Sequence, residues 1–166
     1  MMKIRKATRA DAQAAWDIRK EAILKACTQY YPADLLTIWT SGAPNDVWAD
    51  AVEQSFHVGD EGGLVAVTGM LNIATGQVDA MFVRPSHMGL GIGRQMMDFL
   101  ERLAHSHGIV SMNLSATLNA APFYRHCGWI GDSVEIYKSP RGIELACVPM
   151  TKAVTPPESG QSPRAA

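Results

Sequence analysis

The chain has 166 residues, 47% of them apolar, which is enough to bury one substantial core but too short for two domains of ordinary size. Its formal net charge is −1 and its pI is about 6.5, so the molecule as a whole has no electrostatic attraction to nucleic acid or to an anionic membrane. We therefore predict one globular domain over residues 1–154, with neither nucleic acid nor membrane among its partners.

The targeting signals and the cysteines indicate a compartment. The basic start of the chain is not followed by an apolar stretch, and no run of about 18 apolar residues occurs, which predicts neither a signal peptide nor a membrane span. Cys27, Cys127 and Cys147 lack metal-binding spacing and are expected to be buried thiols, so we predict a cytoplasmic protein without a metal site. From Thr155 the segment "TPPESGQSPRAA" predicts a disordered tail over residues 155–166.

Helical patterns dominate the first third of the chain. "KIRKAT" alternates as a short strand, and Asp11 is the expected N-cap of an amphipathic helix over residues 12–25. Two further helical stretches follow Pro32 and Pro44. From Ser55 onwards the segments "FHVG", "GLVAVTGMLNI" and "QVDAMFV" are separated by turn-like residues, which predicts an antiparallel meander.

The second half of the chain mixes helix and strand. A helix is predicted over residues 91–107, with Gly108 as its stop signal. "VSMNLSA" follows as a strand, "NAAPFYRHCG" as a short helix, and "DSVEIYK" and "GIELACVPM" as two strands around the turn "SPRG". This order predicts an α+β fold with a single mixed, mostly antiparallel sheet flanked by helices.

Three glycines at alternate positions lie in "MGLGIGR", the glycine loop (residues 88–94), between a strand and a helix. Glycine permits close approach of a ligand, and the first amides and the dipole of a helix attract negative oxygens, so we predict a phosphate-binding loop. A P-loop would need Lys-Ser/Thr where Arg94 and Gln95 stand, and a GxGxxG motif would need glycine at Arg94 or Met96. A tight strand-to-helix turn without a ligand is the alternative.

The glycine loop resembles the acetyl-CoA loop of the GCN5-related N-acetyltransferase (GNAT) superfamily, whose pattern is Q/RxxGxG/A after a strand ending in V-x-P. Here "VRP" precedes "MGLGIG", and Met88 stands where the family usually has Arg or Gln. Arg94, one residue past the last glycine, is a cation that could face the phosphates instead.

A second segment, "NAAPFYRHCGW", resembles the later GNAT helix, in which a Tyr precedes a Gly-aromatic pair as Tyr124 precedes Gly128 here. Thr117 stands where the family often has Asn, with Asn119 nearby as a substitute. Both segments occur in the family's order, and the resemblance extends over residues 78–150.

The resemblance implies a GNAT-like acyl-CoA N-acyltransferase fold and transfer of an acetyl group from acetyl-CoA to a primary amine of a small molecule or peptide. It implies direct transfer in a ternary complex, with no metal, and a backbone N–H near Val83 that stabilises the oxyanion. A homodimer is possible, as is common in the superfamily. The implied cofactor-binding residues are Phe82, Val83, Met88, Gly89, Leu90, Gly91, Ile92, Gly93, Arg94, Asn119 and Tyr124.

Tyr124 is the candidate catalytic acid that the resemblance implies. A phenol with a pKa near 10 keeps its proton at neutral pH and can stabilise a departing thiolate. Without the motif, Tyr124 would be interpreted as one more aromatic packing beside Phe123.

The candidate base is Asp79. It lies on the strand before the glycine loop, and strand alternation places it on the face of Met81 and Val83, where burial would raise its pKa. It would act directly or through water, and the alternative is a carboxylate that merely faces solvent. His57 and Glu61 are further options for the base. Surface or capping positions are expected for His87, His105, His107 and His126.

The acceptor amine is less defined by the sequence. Aromatic residues in the first third could stack on an aromatic or alkyl amine, or could equally belong to the core. No acidic cluster there supports a polycationic substrate. A non-catalytic acyl-CoA-binding or interaction module is the alternative function, suggested by Met88 and Thr117. The aromatic residues concerned are Trp16, Tyr30, Tyr31, Trp39 and Trp48.

Overall fold

The computed structural model describes residues 1–154, so the predicted tail from Thr155 lies outside the described residues. Seven strands and five α-helices follow one another over this range, and short 3-10 turns cover Arg9–Asp11 and Pro85–His87. The strands are β1 (Lys3–Lys6), β2 (Phe56–Glu61), β3 (Leu64–Leu71), β4 (Val78–Val83), β5 (Ser111–Thr117), β6 (Glu135–Lys138) and β7 (Glu144–Ala153). The helices are α1 (Ala12–Ala26), α2 (Ala33–Trp39), α3 (Asp46–Ser55), α4 (Ile92–Ser106) and α5 (Ala121–His126).

The strands form two antiparallel ladders. One has the order β1-β2-β3-β4 and the other β5-β7-β6. A single parallel bridge between Gln77 and Asn113 joins them, at the start of β4, and beyond it β4 and β5 separate. The predicted α+β class, with a mostly antiparallel sheet flanked by helices, is confirmed, and the sheet opens between β4 and β5 rather than continuing as one ladder.

A β-bulge interrupts β4. The register between β3 and β4 shifts between Thr68 and Met70, and Ala80 adopts a φ of +51°, in the left-handed region that costs a residue with a Cβ roughly 1–2 kcal/mol. The Thr68 hydroxyl donates to the Ala80 carbonyl over 2.7 Å, which compensates part of that cost.

The bulge changes which residues of β4 share a face. Val78 packs in the same apolar cluster as Met81 and Val83, on the α4 side of the sheet. Asp79 lies opposite Met70, which packs on the other side with α1 and α3. The prediction that Asp79 shares a face with Met81 and Val83 is therefore wrong, because the extra residue at Ala80 reverses the alternation.

Asp11 occupies the predicted N-cap position of α1, but its side chain makes no cap hydrogen bond to the helix. A 3-10 turn precedes the helix, and the Asp11 carboxylate accepts from the Thr8 amide (2.8 Å) and from the Arg5 guanidinium (2.8 and 3.0 Å). The Arg5 guanidinium is the main cause that holds the pKa of Asp11 below its usual range. Asp11 therefore fixes the turn between β1 and α1.

Three apolar clusters fill the interior. The largest lies between α4 and both ladders, and it includes Met96 and Leu100 from α4, Val67 from β3 and Leu114 from β5. A second cluster packs α1 and α3 against the first ladder, and a third joins α1 and α2 to β7. Helix α4 thus spans the gap between the ladders. None of the helices in residues 1–154 has the length and hydropathy needed to cross a membrane.

Candidate active site

A cleft of about 710 Å³ opens where β4 and β5 separate. Its walls come from β4 and β5, from the glycine loop, from α1 and α5, and from β7. Segments from both halves of the chain therefore converge on one cavity, of the size that proteins use for small ligands.

The glycine loop presents a row of unpaired main-chain donors at this cleft. The N–H groups of residues 89–94 donate to no acceptor in the described part of the chain, and the first helical bond of α4 runs from Gln95 N–H to the Gly91 carbonyl. Gly89 and Gly91 both have a φ of +79°, and an added Cβ at either would meet open space. The loop is thus an open cradle of amides at the positive end of a 15-residue helix.

The side chains of the loop play different parts. Leu90 is 66% exposed and Ile92 is buried, so the loop offers its backbone more than its side chains. Gly93 permits close packing, because a Cβ there would lie 3.3 Å from both Phe123 and Val83. Arg94 reaches over α5 and donates to the His126 carbonyl at 3.4 Å.

Met88 differs from the other loop residues predicted to bind the cofactor. Its amide already donates to the Pro85 carbonyl at 3.3 Å, at the end of the 3-10 turn. Its side chain lines the cleft and is 37% exposed. Met88 can therefore offer a ligand only apolar contact, whereas the Arg or Gln that is usual at this position of the GNAT pattern would offer a polar side chain.

One edge of β4 pairs with β3 in the ladder, and its other edge faces the gap towards β5. The Arg84 amide donates to the Ala66 carbonyl of β3 at 2.8 Å. Because alternate residues of a strand direct their peptide groups to opposite sides, the N–H of Val83 points towards the gap and that of Phe82 points to β3. The geometry thus fits the expectation for Val83. Phe82 also lines the cleft, although its N–H points to β3.

Tyr124 lies in the wall of the same cleft, on α5. Its ring packs edge-on against Phe123 (5.2 Å between centroids) and Trp129 (6.1 Å) and is only 8% exposed. Its hydroxyl makes no hydrogen bond with any described residue. Burial, and then the nearby Cys127 and Asp79, raise the pKa of Tyr124, so the phenol remains protonated.

Asp79 faces the cleft from the start of β4. The open cleft leaves its side chain accessible to solvent, yet the surrounding protein raises the pKa of this carboxyl by desolvation, and a weak hydrogen bond from Gln77 at 3.4 Å opposes the shift. Asp79 is near enough to Tyr124 to influence the pKa of the phenol. The structure therefore brings the two predicted catalytic side chains to one cleft.

The two further candidates for the base lie elsewhere. His57 stacks on Phe99 of α4 at 4.8 Å, with its Nδ1 buried and unpaired, and burial lowers its pKa. Glu61 is exposed, with its Oε1 3.3 Å from His87 Nε2. Neither His57 nor Glu61 lines the cleft, although Glu61 contacts His87, which does.

Known proteins share both the sequence pattern and the fold of this chain. The model of the acetyltransferase (GNAT) domain matches residues 52–130, which include β4, the glycine loop and α5. A GCN5-related N-acetyltransferase from Rhodopseudomonas palustris has a TM-score of 0.83 at 23% identity, over 91% of this chain and 94% of that one. Residues 52–130 thus match a GNAT domain, and the fold of the chain is that of GNAT structures.

Two further GNAT-like structures contain a ligand. YncA from Salmonella typhimurium, with its cofactor acetyl-CoA, has a TM-score of 0.67 at 22% identity over 100% of this chain and 99% of that one. The PaiA N-acetyltransferase from Thermoplasma acidophilum, in complex with coenzyme A, has a TM-score of 0.68 at 12% identity over 92% and 99%. These likenesses extend over the whole fold, including the N-terminal third, where the sequence resemblance is weak.

The residues at β5 that differ from the GNAT pattern nevertheless lie at the cleft. Thr117 and Asn119 both line it, at the end of β5. The Asn119 side-chain oxygen accepts from the Cys27 thiol at 3.2 Å, which ties this segment to the end of α1 and leaves the amide NH₂ of Asn119 for another partner.

Among the five N-terminal aromatic residues, Tyr31 and Trp39 line the cleft, with their ring centroids 5.7 Å apart. Trp16 and Trp48 pack edge-on at 5.2 Å and lie outside it. Tyr30 is 51% exposed and also lies outside it. Two residues of the set therefore lie at the cleft, Trp16 and Trp48 pack against each other away from it, and Tyr31 is also part of the core.

The position of His87 at the cleft was not predicted from the sequence. His87 was expected at the surface, but it lines the cleft and holds both Ser86 and Glu61 through its ring nitrogens. Its position in the sequence could have indicated this, because the 3-10 turn that begins at Pro85 ends at His87, directly before the glycine loop. In the described residues, no group of three metal-ligating side chains is assembled.

Proposed function

We propose that this protein is an acetyl-CoA-dependent N-acetyltransferase that moves the acetyl group directly to a primary amine of a small molecule or peptide in a ternary complex. The observation that carries the proposal is the row of six unpaired amides at residues 89–94, which opens on the same cleft as the Tyr124 hydroxyl. The match of residues 52–130 to the acetyltransferase (GNAT) domain supports acetyl transfer in general.

The residues present fit acetyl-CoA as co-substrate. The amides of residues 89–94, with Arg94 at their end, suit a diphosphate, because backbone donors at a helix N-terminus favour negative oxygens. The peptide groups of Val83 face the gap beside this loop and suit an extended amide-bearing arm. Acetyl-CoA and coenzyme A in two structures of similar fold are consistent with this assignment.

The catalytic roles follow from the side chains at the junction of β4 and α5. Acetyl-CoA supplies an activated acetyl thioester. Asp79 takes the proton that the acceptor amine must lose, directly or through water, and its raised pKa suits it to hold that proton. The Val83 N–H holds the carbonyl oxygen, and Tyr124 donates a hydrogen bond to the departing sulfur.

Direct transfer is favoured over an acyl-enzyme on a cysteine. Cys27 and Cys147 both line the cleft, but burial raises the pKa of Cys27 to about 11 and also raises that of Cys147. Thiols with such pKa values are protonated at neutral pH and are poor nucleophiles. All three cysteines are free and buried, as expected for the reducing cytoplasm, where we place the enzyme.

The competing function is an acyl-CoA-binding module without catalysis, which the missing polar side chain at Met88 favours. Thermal unfolding with and without acetyl-CoA, followed by a screen for coenzyme A release over amines, amino acids, polyamines and peptides, separates the two. We expect a higher melting temperature with acetyl-CoA and acetylation of at least one amine beyond background hydrolysis. Stabilisation without transfer to any amine would favour the module, and no stabilisation would contradict both functions.

A further inference from the structure

One side of the cleft is distinct from the glycine loop in its chemistry. We call it the acceptor wall, and it comes from α1, from the segment between α1 and α2, from the end of α2 and from β7. The acceptor wall consists of Ala22, Ile23, Ala26, Tyr31, Trp39 and Leu145. Four of these residues belong to the apolar cluster that joins α1 and α2 to β7, so the wall is the exposed edge of a core.

The acceptor wall has no charged side chain. Among the described residues that line the cleft, the acidic and basic side chains are those of Asp79, His87 and Arg94. His87 and Arg94 flank the glycine loop, and Asp79 is the sole carboxylate. A substrate group that rests on the acceptor wall therefore meets neither a cation nor a second anion.

The hydroxyl group of the acceptor wall is already occupied. The Tyr31 hydroxyl donates to the Ala146 carbonyl at 2.6 Å and accepts from the Leu118 amide at 3.0 Å. Arg19 is near, and one of its guanidinium nitrogens is buried without a partner, but another donates to the Trp39 carbonyl at 2.8 Å and the residue does not line the cleft. No cation is thus placed to pair with a substrate carboxylate at this wall.

Building on the proposed function, we infer that the acceptor is a primary amine on an uncharged apolar group, an arylalkylamine or branched alkylamine, which packs against Trp39 and Ile23 while its amine faces Asp79. A substrate carboxylate beside the amine would lose its water without gaining a cation as partner, and it would be repelled by the Asp79 carboxylate. A second ammonium group would lie against an apolar surface. Either charge weakens binding, because an unpaired charge is costly to bury.

Matched amines test the substrate class. At saturating acetyl-CoA we expect kcat/KM for phenethylamine and isopentylamine to exceed that for phenylalanine and spermidine by about ten- to a hundredfold, the ratio that one unpaired group costs. A short peptide with a free N-terminus is a further arm. Equal or faster turnover of phenylalanine, spermidine or the peptide would overturn the inference.

Variants of the acceptor wall test its location. Trp39→Ala should lower kcat/KM for phenethylamine about tenfold with little change in KM for acetyl-CoA, while Ile38→Ala, an exposed neighbour on the same helix, should change neither. Ala26→Lys places a cation in the wall and near the end of α1, where a helix tolerates it. It should shift the phenethylamine to phenylalanine preference at least about tenfold towards phenylalanine. An unchanged preference in Ala26→Lys would contradict the proposed site.

The outcomes for the inference and for the proposed function remain separate. Acetylation with a preference for charged amines overturns only the inferred substrate class. Binding of acetyl-CoA without acetylation of any amine overturns the enzymatic function, and the inference with it.

Discussion

Tyr124 and Asp79 have their pKa values raised by the same cause, desolvation, with opposite chemical consequences. A raised pKa keeps a phenol protonated, so Tyr124 remains a donor over the neutral range. For a carboxyl the same shift brings the pKa nearer to neutral, which makes Asp79 a better proton acceptor than an ordinary aspartate. One environment thus suits one residue as acid and the other as base.

Removal of the Tyr124 hydroxyl tests its role at the departing sulfur. Tyr124→Phe keeps the ring that packs on Phe123 and Trp129, so we expect the fold and acetyl-CoA affinity to be retained. We expect kcat to fall about a hundredfold, the lower end of the range for loss of a general acid. Steady-state kinetics and calorimetry with coenzyme A measure the two effects. An equal loss in affinity and turnover would contradict the assignment.

The raised pKa of Asp79 predicts an effect on the stability of the fold as well as on the rate of acetylation. Its folded-state pKa is raised, so protonation stabilises the fold, and this contribution is lost as the pH rises from the ordinary carboxyl value through the raised one. Asp79→Asn, a neutral mimic, should therefore melt higher than the parent at pH 7, with the difference shrinking as the pH falls towards about 4. Acetylation should fall in the same variant. Asp98→Asn, an exposed carboxylate on α4 outside the cleft, is the control.

At the scale of elements, the junction of β4, the glycine loop and α4 combines two uses of glycine. Gly89 and Gly91 have positive φ and open space above them, whereas Gly93 is buried against Phe123 and Val83. The first two are required by the path of the backbone, and the third by packing. Substitutions at these positions should therefore fail for different reasons.

Gly91→Val tests the loop as a binding element. Valine at a φ of +79° should cost roughly 1–2 kcal/mol of stability and place a branched side chain over the free amides. We expect coenzyme A binding to be lost by calorimetry while the folded spectrum persists. Gly62→Val is matched to it, since Gly62 has a φ of +61° and open space in the turn between β2 and β3. That variant should lose similar stability and retain binding.

Sequence patterns predicted most elements because local signals were strong. The period of α4, the stop at Gly108 and the turns of the meander all lie within the chain segments they define. The bulge at Ala80 was not predictable, because alanine gives no sign of a positive φ and the partner of the Ala80 carbonyl, the Thr68 hydroxyl, lies on another strand. The bulge places Asp79 on the face opposite to Met81 and Val83.

The part of the candidate site that the main chain of the glycine loop forms was predictable from the sequence. The part formed by side chains from distant segments was less predictable. The motif placed Tyr124 and the glycine loop in one region, and the structure puts both at one cleft. The assignment of Tyr31 and Trp39 to the cleft, and of Trp16 and Trp48 to packing, required the positions of α1 and α2 relative to β7. Such packing between distant segments leaves no signature in spacing.

At the scale of the whole molecule, Tyr31 joins the N-terminal third to the second ladder. Its hydroxyl bridges Ala146 of β7 and Leu118 at the end of β5, so the segment between α1 and α2 fixes the wall of the cleft. Tyr31→Phe removes both hydrogen bonds from a partly buried site and should cost about 1–3 kcal/mol. A melting temperature lower by several degrees is expected, and Tyr30→Phe at the exposed neighbour should leave it unchanged. An unchanged melting temperature in Tyr31→Phe would contradict the bridging role.

Because one bridge alone connects β4 to β5, the width of their gap depends on the helix that crosses it. Helix α4 approaches β3 so closely that a methyl group at Gly69 would lie 2.8 Å from the Met96 side chain. An increase of volume at this buried position is therefore expected to displace α4 and to change the width of the gap. A residue that does not line the cleft can in this way alter its shape.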